Sequence, residues 1–368
     1  MNILFDHQAF SLQSHGGISR YYCELASRLQ HLGCAVEIVA PLHSNDHLRA
    51  LGGVKIVGQY IPRIRYTMTA RRRLNDTLST LLIRRRPKID LVHETYYSAS
   101  RSDSLSTKRV VTVYDMIHEK FPSDFDPRDP TCLNKARAVQ RADHVICISE
   151  NTRQDLITLL NVAPEKTSVT YLASDFAEHA LETTETPIAS KPYIAYVGMR
   201  RGYKNFLLLL DAVAGSEPIR KEFDIVCFGG SAFTQAELEM VKRLGLQEKV
   251  HQRGGGDSAL RAHYKNASIF VYPSAYEGFG IPPLEAMAMG CPVVCSNTGS
   301  LPEVVGDAAE LFDPSDPSQL AWAIERALGQ ERRDELVRRG KERIKRFSWD
   351  NCARETLAIY QRISDISG

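Results

Sequence analysis

Glu277 and Glu285 stand eight positions apart in Tyr276-Glu-Gly-Phe-Gly-Ile-Pro-Pro-Leu-Glu285, with two glycines and a Pro-Pro pair between them. Gly278 and Gly280 let the backbone approach a ligand closely. Pro282 and Pro283 have the fixed φ that suits the first turn of a helix, and the unpaired N–H groups of a helix N-terminus favour a phosphate. Glu285, expected in that first turn, would accept hydrogen bonds from ribose hydroxyls. Glu277, on the strand side of the loop, would reach a different part of the same molecule. A phosphorylated ligand with hydroxyls at both ends, such as a nucleotide sugar, suits this arrangement. The plainer alternative is that Glu285 complements a helix dipole and Glu277 faces water.

The flanking segments say which elements must hold these carboxylates. Ala267–Ser274 (ASIFVYPS) reads as a buried strand, Leu284–Met289 continues a helix until Gly290, and Pro292–Ser296 begins the next strand. Strand, glycine loop, helix and strand form the unit with which an open parallel sheet binds ligands at its carboxyl edge. The string resembles the E-x7-E signature of family-four retaining glycosyltransferases, and the likeness runs on through SNTGSLPEVVGDAAELFDP, residues 296–314. It covers most of the chain and is weakest between about residues 45 and 105. The resemblance implies that Glu285 holds the ribose and Glu277 the donor-sugar hydroxyls. By the same likeness, the backbone of Gly278, Phe279, Gly280, Ile281 and Leu284 faces sugar and diphosphate.

A second candidate site is Tyr193-Ile-Ala-Tyr-Val-Gly-Met-Arg-Arg-Gly-Tyr-Lys-Asn-Phe206, a strand, a basic loop and the start of an apolar helix. Cations at the carboxyl edge of a sheet would neutralise a departing diphosphate. The string resembles the family's Gly-x-Arg…Lys-Asn loop, which implies Arg200 and Lys204 as phosphate contacts. Met199 stands where some relatives place the basic residue, and Arg201 rivals Arg200 for the role. In the first half, His15-Gly16-Gly17-Ile18 resembles the glycine turn that faces the donor phosphates. The strand VVTVYDMIHEKFP places Asp115 and His118 just past its end. Many relatives have a His-Asp pair here; this chain has Tyr114-Asp115, with His118 three residues later. Ser149 also matches a family position and is equally suited to capping a helix. Asp124-Phe125-Asp126 matches a metal-binding D-x-D pattern, but it follows no convincing strand and the basic loop already offers charge. No metal and no cofactor are expected beyond a nucleoside diphosphate sugar as donor.

Alternating strands and helices argue for an α/β protein with two doubly wound parallel sheets. The resemblance adds the GT-B arrangement, two Rossmann-like domains facing across a cleft with a C-terminal helix crossing back. The expected divisions are an acceptor domain at 1–185, a donor domain at 186–346 and the returning helix at 347–368. Residues 179–192 read as a linker. At 368 residues, 43% hydrophobic and 24% charged, the chain can bury two cores. A formal net charge of +2 gives no bulk attraction to nucleic acid. Eight scattered cysteines without C-x-x-C spacing read as reduced thiols of a cytoplasmic protein. The N-terminus begins as a strand without a signal-peptide pattern, and no apolar stretch suffices to span a membrane.

Residues 63–88 carry Arg63, Arg65, Arg71, Arg72, Arg73, Arg84, Arg85, Arg86 and Lys88 against Asp76 alone. Interleaved apolar residues suit a basic amphipathic helix, which would lie on the inner face of a membrane; a solvated helix face is the equal alternative. The expected activity is transfer of a hexose, first mannose from GDP-mannose, to a hydroxyl of a growing glycan, free or lipid-linked, such as a lipopolysaccharide O-antigen or other surface polysaccharide. A nucleotide-sugar epimerase and a non-catalytic nucleotide-sugar binding subunit are the rivals.

Overall fold

The computed structural model describes residues 1–62, 68–86, 89–98, 107–177, 191–200 and 202–365. It divides into two compact units, one of Met1–Leu172 with Trp349–Gly368 and one of Ala173–Ser348. The expected linker and the expected boundary at 185/186 fall in or beside residues 178–190, outside the described residues.

In the first unit the strands are β1 (Asn2–Phe5), β2 (Ala35–His43), β3 (Lys55–Tyr60), β4 (Leu91–Glu94), β5 (Lys108–Val113), β6 (His144–Cys147) and β7 (Thr167–Val169). They form one sheet in the order β3-β2-β1-β4-β5-β6-β7, and every pairing is parallel. Short apolar runs such as Ile3-Leu4-Phe5 and Val110-Val111 are buried on both faces, as a parallel sheet covered by helices requires. The order reverses between β1 and β4, so the loops after these strands part there and leave a crevice at the carboxyl edge.

The helix Trp349–Asp365 belongs to this first unit. It packs against the helix Gly17–His31, with the Trp349 and Tyr21 rings 6.2 Å apart and Arg28 donating to Asp350 at 2.9 Å. Its Tyr360 is fully buried and bonds through its hydroxyl to His93 Nδ1 at the end of β4.

The second unit has β8 (Tyr193–Val197), β9 (Asp224–Phe228), β10 (Val250–Arg253), β11 (Ile269–Tyr272), β12 (Val293–Ser296) and β13 (Ala309–Phe312). Their order is β10-β9-β8-β11-β12-β13, again all parallel, and the reversal lies between β8 and β11. Phe206, Leu209, Leu210 and Val213 of the helix Phe206–Gly215 pack with Ile225, Ile269, Val271 and Val294 in one core. β13 was not expected from the sequence. Its four residues include Glu310, which is buried against Arg332 and Arg326 and breaks the apolar run.

The basic helix is formed over Met68–Arg84, but it is not a uniform cationic face. Arg71 turns inward and donates to the carbonyls of Leu42 and Ile61 at 3.2 and 3.0 Å. Arg72 is half-buried, whereas Arg73, Leu74, Leu81, Arg84 and Arg85 are exposed. Arg63, Arg65 and Lys88 lie outside the described residues.

Candidate functional site

The loops after β8 and β11 border the crevice of the second sheet. β11 ends at Tyr272, and Pro273–Gly280 leads into the helix Ile281–Ala288. Gly280 has φ +109°, a conformation open chiefly to glycine, and a Cβ there would meet Leu301 Cδ2 at 2.7 Å. That turn starts the helix at Ile281. Glu285 is therefore its fifth residue, in the second turn and not the first as the Pro-Pro pair implied.

The loop is tied from behind. Ser300 Oγ donates to the carbonyls of Glu277 and Phe279 at 2.9 and 2.7 Å, and Thr298 Oγ1 donates to Ala275 O at 2.9 Å. Gly299 fits beneath, since a Cβ on it would lie 3.1 Å from Glu277 N. The Ala275 amide donates to Tyr203 O at 2.7 Å, which joins the glutamate loop to the basic loop.

The result is a close pair. Lys204 Nζ lies 2.6 Å from Glu277 Oε1 and 3.3 Å from the Tyr272 hydroxyl. Glu277 is 8% exposed. Burial alone would lower the Lys204 pKa, but Tyr272 and Glu277 outweigh it and hold the ammonium well above the usual lysine value. The site thus keeps a fixed positive charge and a carboxylate side by side. Glu285 is half-buried and accepts from the Tyr264 hydroxyl at 3.0 Å. Burial raises the Tyr264 pKa first, so this phenol stays a donor.

Arg200 is placed differently from the diphosphate contact the resemblance implied. Its guanidinium is buried, with Nε 3.2 Å from Glu237 Oε1, Nη1 3.3 Å from Gly229 O, Nη2 bonded to Ser231 O, and Phe233 beneath it at 4.4 Å. Those partners take three of its five N–H donors, and in this conformation it braces the loop after β9. Arg201 lies outside the described residues.

In the first unit, Gly16 precedes and Gly17 opens the helix Gly17–His31. Asp115 Oδ1 accepts from the Ile117 amide at 3.0 Å, and its carbonyl accepts from the buried Lys135 at 2.8 Å. His118 stacks on Phe125 at 3.8 Å, its Nε2 is 3.8 Å from Asp129, and its buried Nδ1 has no hydrogen-bond partner among the described residues. Phe125 of the D-x-D string is thus a ring partner, while Asp126 chelates Arg128 at 2.9 Å. Ser149 caps the helix Glu150–Leu160 by accepting from Thr152 N at 3.0 Å. Tyr272, Tyr264, Ser300 and Thr298 were missed by the sequence reading. Tyr272 closes an apolar strand, and only its last position, at the carboxyl edge, marks it out.

Two family models match the chain: glycosyl transferases group 1 over residues 182–344 and glycosyltransferase family 4 over residues 15–177. The chain is 32% identical over 268 residues to the O-antigen chain mannosyltransferase B of Escherichia coli, covering 69% of this chain and 70% of that protein. It is 31% identical to the MMP alpha-(1->4)-mannosyltransferase of Mycolicibacterium hassiacum, over 61% of this chain and 56% of that protein. Among solved structures, sucrose-phosphate synthase from Thermosynechococcus elongatus superposes with a TM-score of 0.73 at 20% identity, covering 99% of each chain. At that identity the last likeness speaks for the fold alone.

Proposed function

The chain belongs to the family-four glycosyltransferases of GT-B fold, and on that premise we propose that it is a metal-independent retaining mannosyltransferase. It takes mannose from GDP-mannose and places it on a sugar hydroxyl of a growing surface glycan. The observation that carries the reading is the Lys204–Glu277 pair at the carboxyl edge of the second sheet.

The reaction breaks the bond between the sugar's anomeric carbon and the diphosphate oxygen. It forms a bond from that carbon to the acceptor oxygen on the same face. Negative charge grows on the departing diphosphate, and the fixed ammonium of Lys204 is suited to meet it. The leaving phosphate oxygen takes the acceptor's proton, so no strong protein base is needed. Glu277 holds the sugar hydroxyls while its ion pair with Lys204 sets the distance between sugar and phosphate sites. Glu285, oriented by Tyr264, takes the ribose. Asp115, His118 and the Gly16-Gly17 turn are the first unit's own candidate residues in this reading.

The exposed face of the helix Met68–Arg84 supports a peripheral position on the inner face of the membrane, where a lipid-linked acceptor would be met. Leu74 and Leu81 are each 49% exposed beside Arg73, Arg84 and Arg85, a pairing of apolar and cationic groups that fits anionic headgroups. Among the described residues, no helix is long and apolar enough to cross a membrane.

The test is product analysis. With GDP-[14C]mannose and a mannose-terminated acceptor, label should move to the glycan, and NMR should show an α-linkage. Release of free label without an acceptor product, or preference for a uridine or adenosine donor, would contradict the assignment.

A further inference from the structure

The loop that carries Lys204 is built from residues that do not hold it still. Gly198, Gly202 and Asn205 have φ of +116°, +56° and +54°, so the chain turns sharply between β8 and the helix Phe206–Gly215. Glycines leave a loop many alternative conformations, and something outside it must choose one. Arg200 is driven from this loop into the interior. Its side chain is 2% exposed, and Nε, Nη1 and Nη2 are bound to Glu237, Gly229 O and Ser231 O. Gly230 allows the two loops to close on each other, because a Cβ there would stand 2.9 Å from Gly198 O and 3.0 Å from Arg200 Nη1.

Glu237 is itself fixed by its own helix. It is the third residue of the helix Gln235–Arg243, and its Oε2 accepts from Thr234 N at 2.7 Å and from Thr234 Oγ1 at 3.0 Å. Its amide donates back to Thr234 Oγ1 at 3.2 Å, and this reciprocal cap leaves Oε1 to Arg200. A buried ion pair often stabilises a fold less than an apolar pair of the same volume, since both charges lose water; what it adds is a defined geometry. That geometry is passed along the loop, where Lys204, four residues past Arg200, stands 2.6 Å from Glu277. We propose that Glu237 is a positioning residue for the transfer: acting through Arg200, it sets the loop from which Lys204 meets the diphosphate. Arg200 is then a brace and not a phosphate contact, because its N–H groups reach no ligand unless the Glu237 contact is broken.

The inference rests on the transferase reading, and two readouts separate them. Glu237→Gln keeps the size of the side chain and an oxygen for the helix cap but removes the charge that holds Arg200. In transfer of labelled mannose from GDP-mannose it should lower kcat about tenfold, with KM for the donor within about twofold of wild type. Placed in the Lys204→Met protein, the same substitution should lower kcat no further, since a residue that acts through Lys204 then has nothing left to position. An equal loss in both backgrounds, or none in the wild type, overturns the role. So does tighter GDP binding by Glu237→Gln, which would make the freed Arg200 a phosphate ligand. Should that protein not fold, Arg200→Lys, which keeps the charge and gives up the fork, carries the same tests. Hydrogen exchange reads the brace without any donor. The Gly198 and Asn205 amides donate to Phe228 O and Gly202 O at 3.0 and 2.9 Å, and both should exchange about tenfold faster in the variant. Unchanged exchange overturns the brace whatever the enzyme transfers. Faster exchange in a protein whose wild type moves no label keeps the brace and refutes the transferase reading.

Discussion

At the scale of single residues, the proposed reaction rests on one cation, Lys204, to meet the charge that grows on the diphosphate. Lys204 is held charged against the cost of burial by Tyr272 and Glu277, so its ammonium is in place before any ligand arrives. The Lys204→Met variant should lower kcat by about 100- to 1,000-fold, the usual loss on removing one preorganised group from a developing anion. Wild-type turnover should be unchanged in EDTA. A chelator-sensitive enzyme restored by manganese would assign the charge to a metal and leave Lys204 a bracing residue. Glu285 carries a separate expectation, since the proposed reaction gives it a part in binding and none in bond breaking. Glu285→Ala should lose roughly 1.5–3 kcal/mol of GDP affinity, as for a hydrogen bond to a charged group. Tyr264→Phe, which removes only the hydroxyl that orients Glu285, should lose less, about 0.5–1.5 kcal/mol, with kcat intact. Titration calorimetry reads both, and equal GDP affinity in all three proteins would remove the ribose assignment.

Among the elements, the helix Met68–Arg84 shows how side-chain direction changes a reading made from charge. With Arg71 spent on two carbonyls and Arg72 half-buried, the exposed set is Arg73, Arg84 and Arg85. Replacing those three by Gln should remove on the order of 3 kcal/mol of attraction to phosphatidylserine vesicles. The wild-type attraction should weaken in high salt, where the screening length shortens from about 8 Å. Co-sedimentation that is identical for both proteins would make this face an ordinary solvated one. The strands were legible because a buried parallel sheet needs short apolar β-branched runs, and β1, β5, β8 and β11 have them. β13 was not, because Glu310 interrupts four residues and its partners Arg326 and Arg332 are contributed from later helices. The Glu277–Glu285 spacing was visible, but the helix start turned on the φ of Gly280, a conformation that the glycine permits and does not announce. Arg200 sat in a recognisable loop, while the partner that draws it inward, Glu237, lies 37 positions away. Adjacency in sequence says nothing of that kind of contact.

For the whole molecule, each unit carries histidines that burial holds neutral, His43, His93 and His144 in the first and His263 in the second, and they set an acid limit. His93 in the first unit bonds to Tyr360 of the returning C-terminal helix and to Thr112, and burial lowers its pKa to about 3. His263 in the second unit lies between the rings of Tyr193 and Phe228, each 5.4 Å away; burial lowers its pKa to about 4, against the opposing pull of the Tyr196 backbone. In the unfolded chain each would titrate near 6.5. Below that pH the unfolded state binds a proton that the folded state refuses, so stability is full above about 6.5 and is lost as pH falls toward the folded pKa. Between pH 6.5 and 5 the loss is about 2 kcal/mol for each histidine. Carboxylates titrate mostly below this window, which leaves the histidines to dominate it. Calorimetry at pH 7.5 and 5 should show both units melting lower in acid. His263→Phe keeps the aromatic stack and takes away one titrating group. That variant should be more resistant to the change from pH 7.5 to 5 in the second unit only, with the first unit still governed by His93, His144 and His43. An unaltered pH response in the His263→Phe protein would mean that the acid limit of the second unit comes from another group.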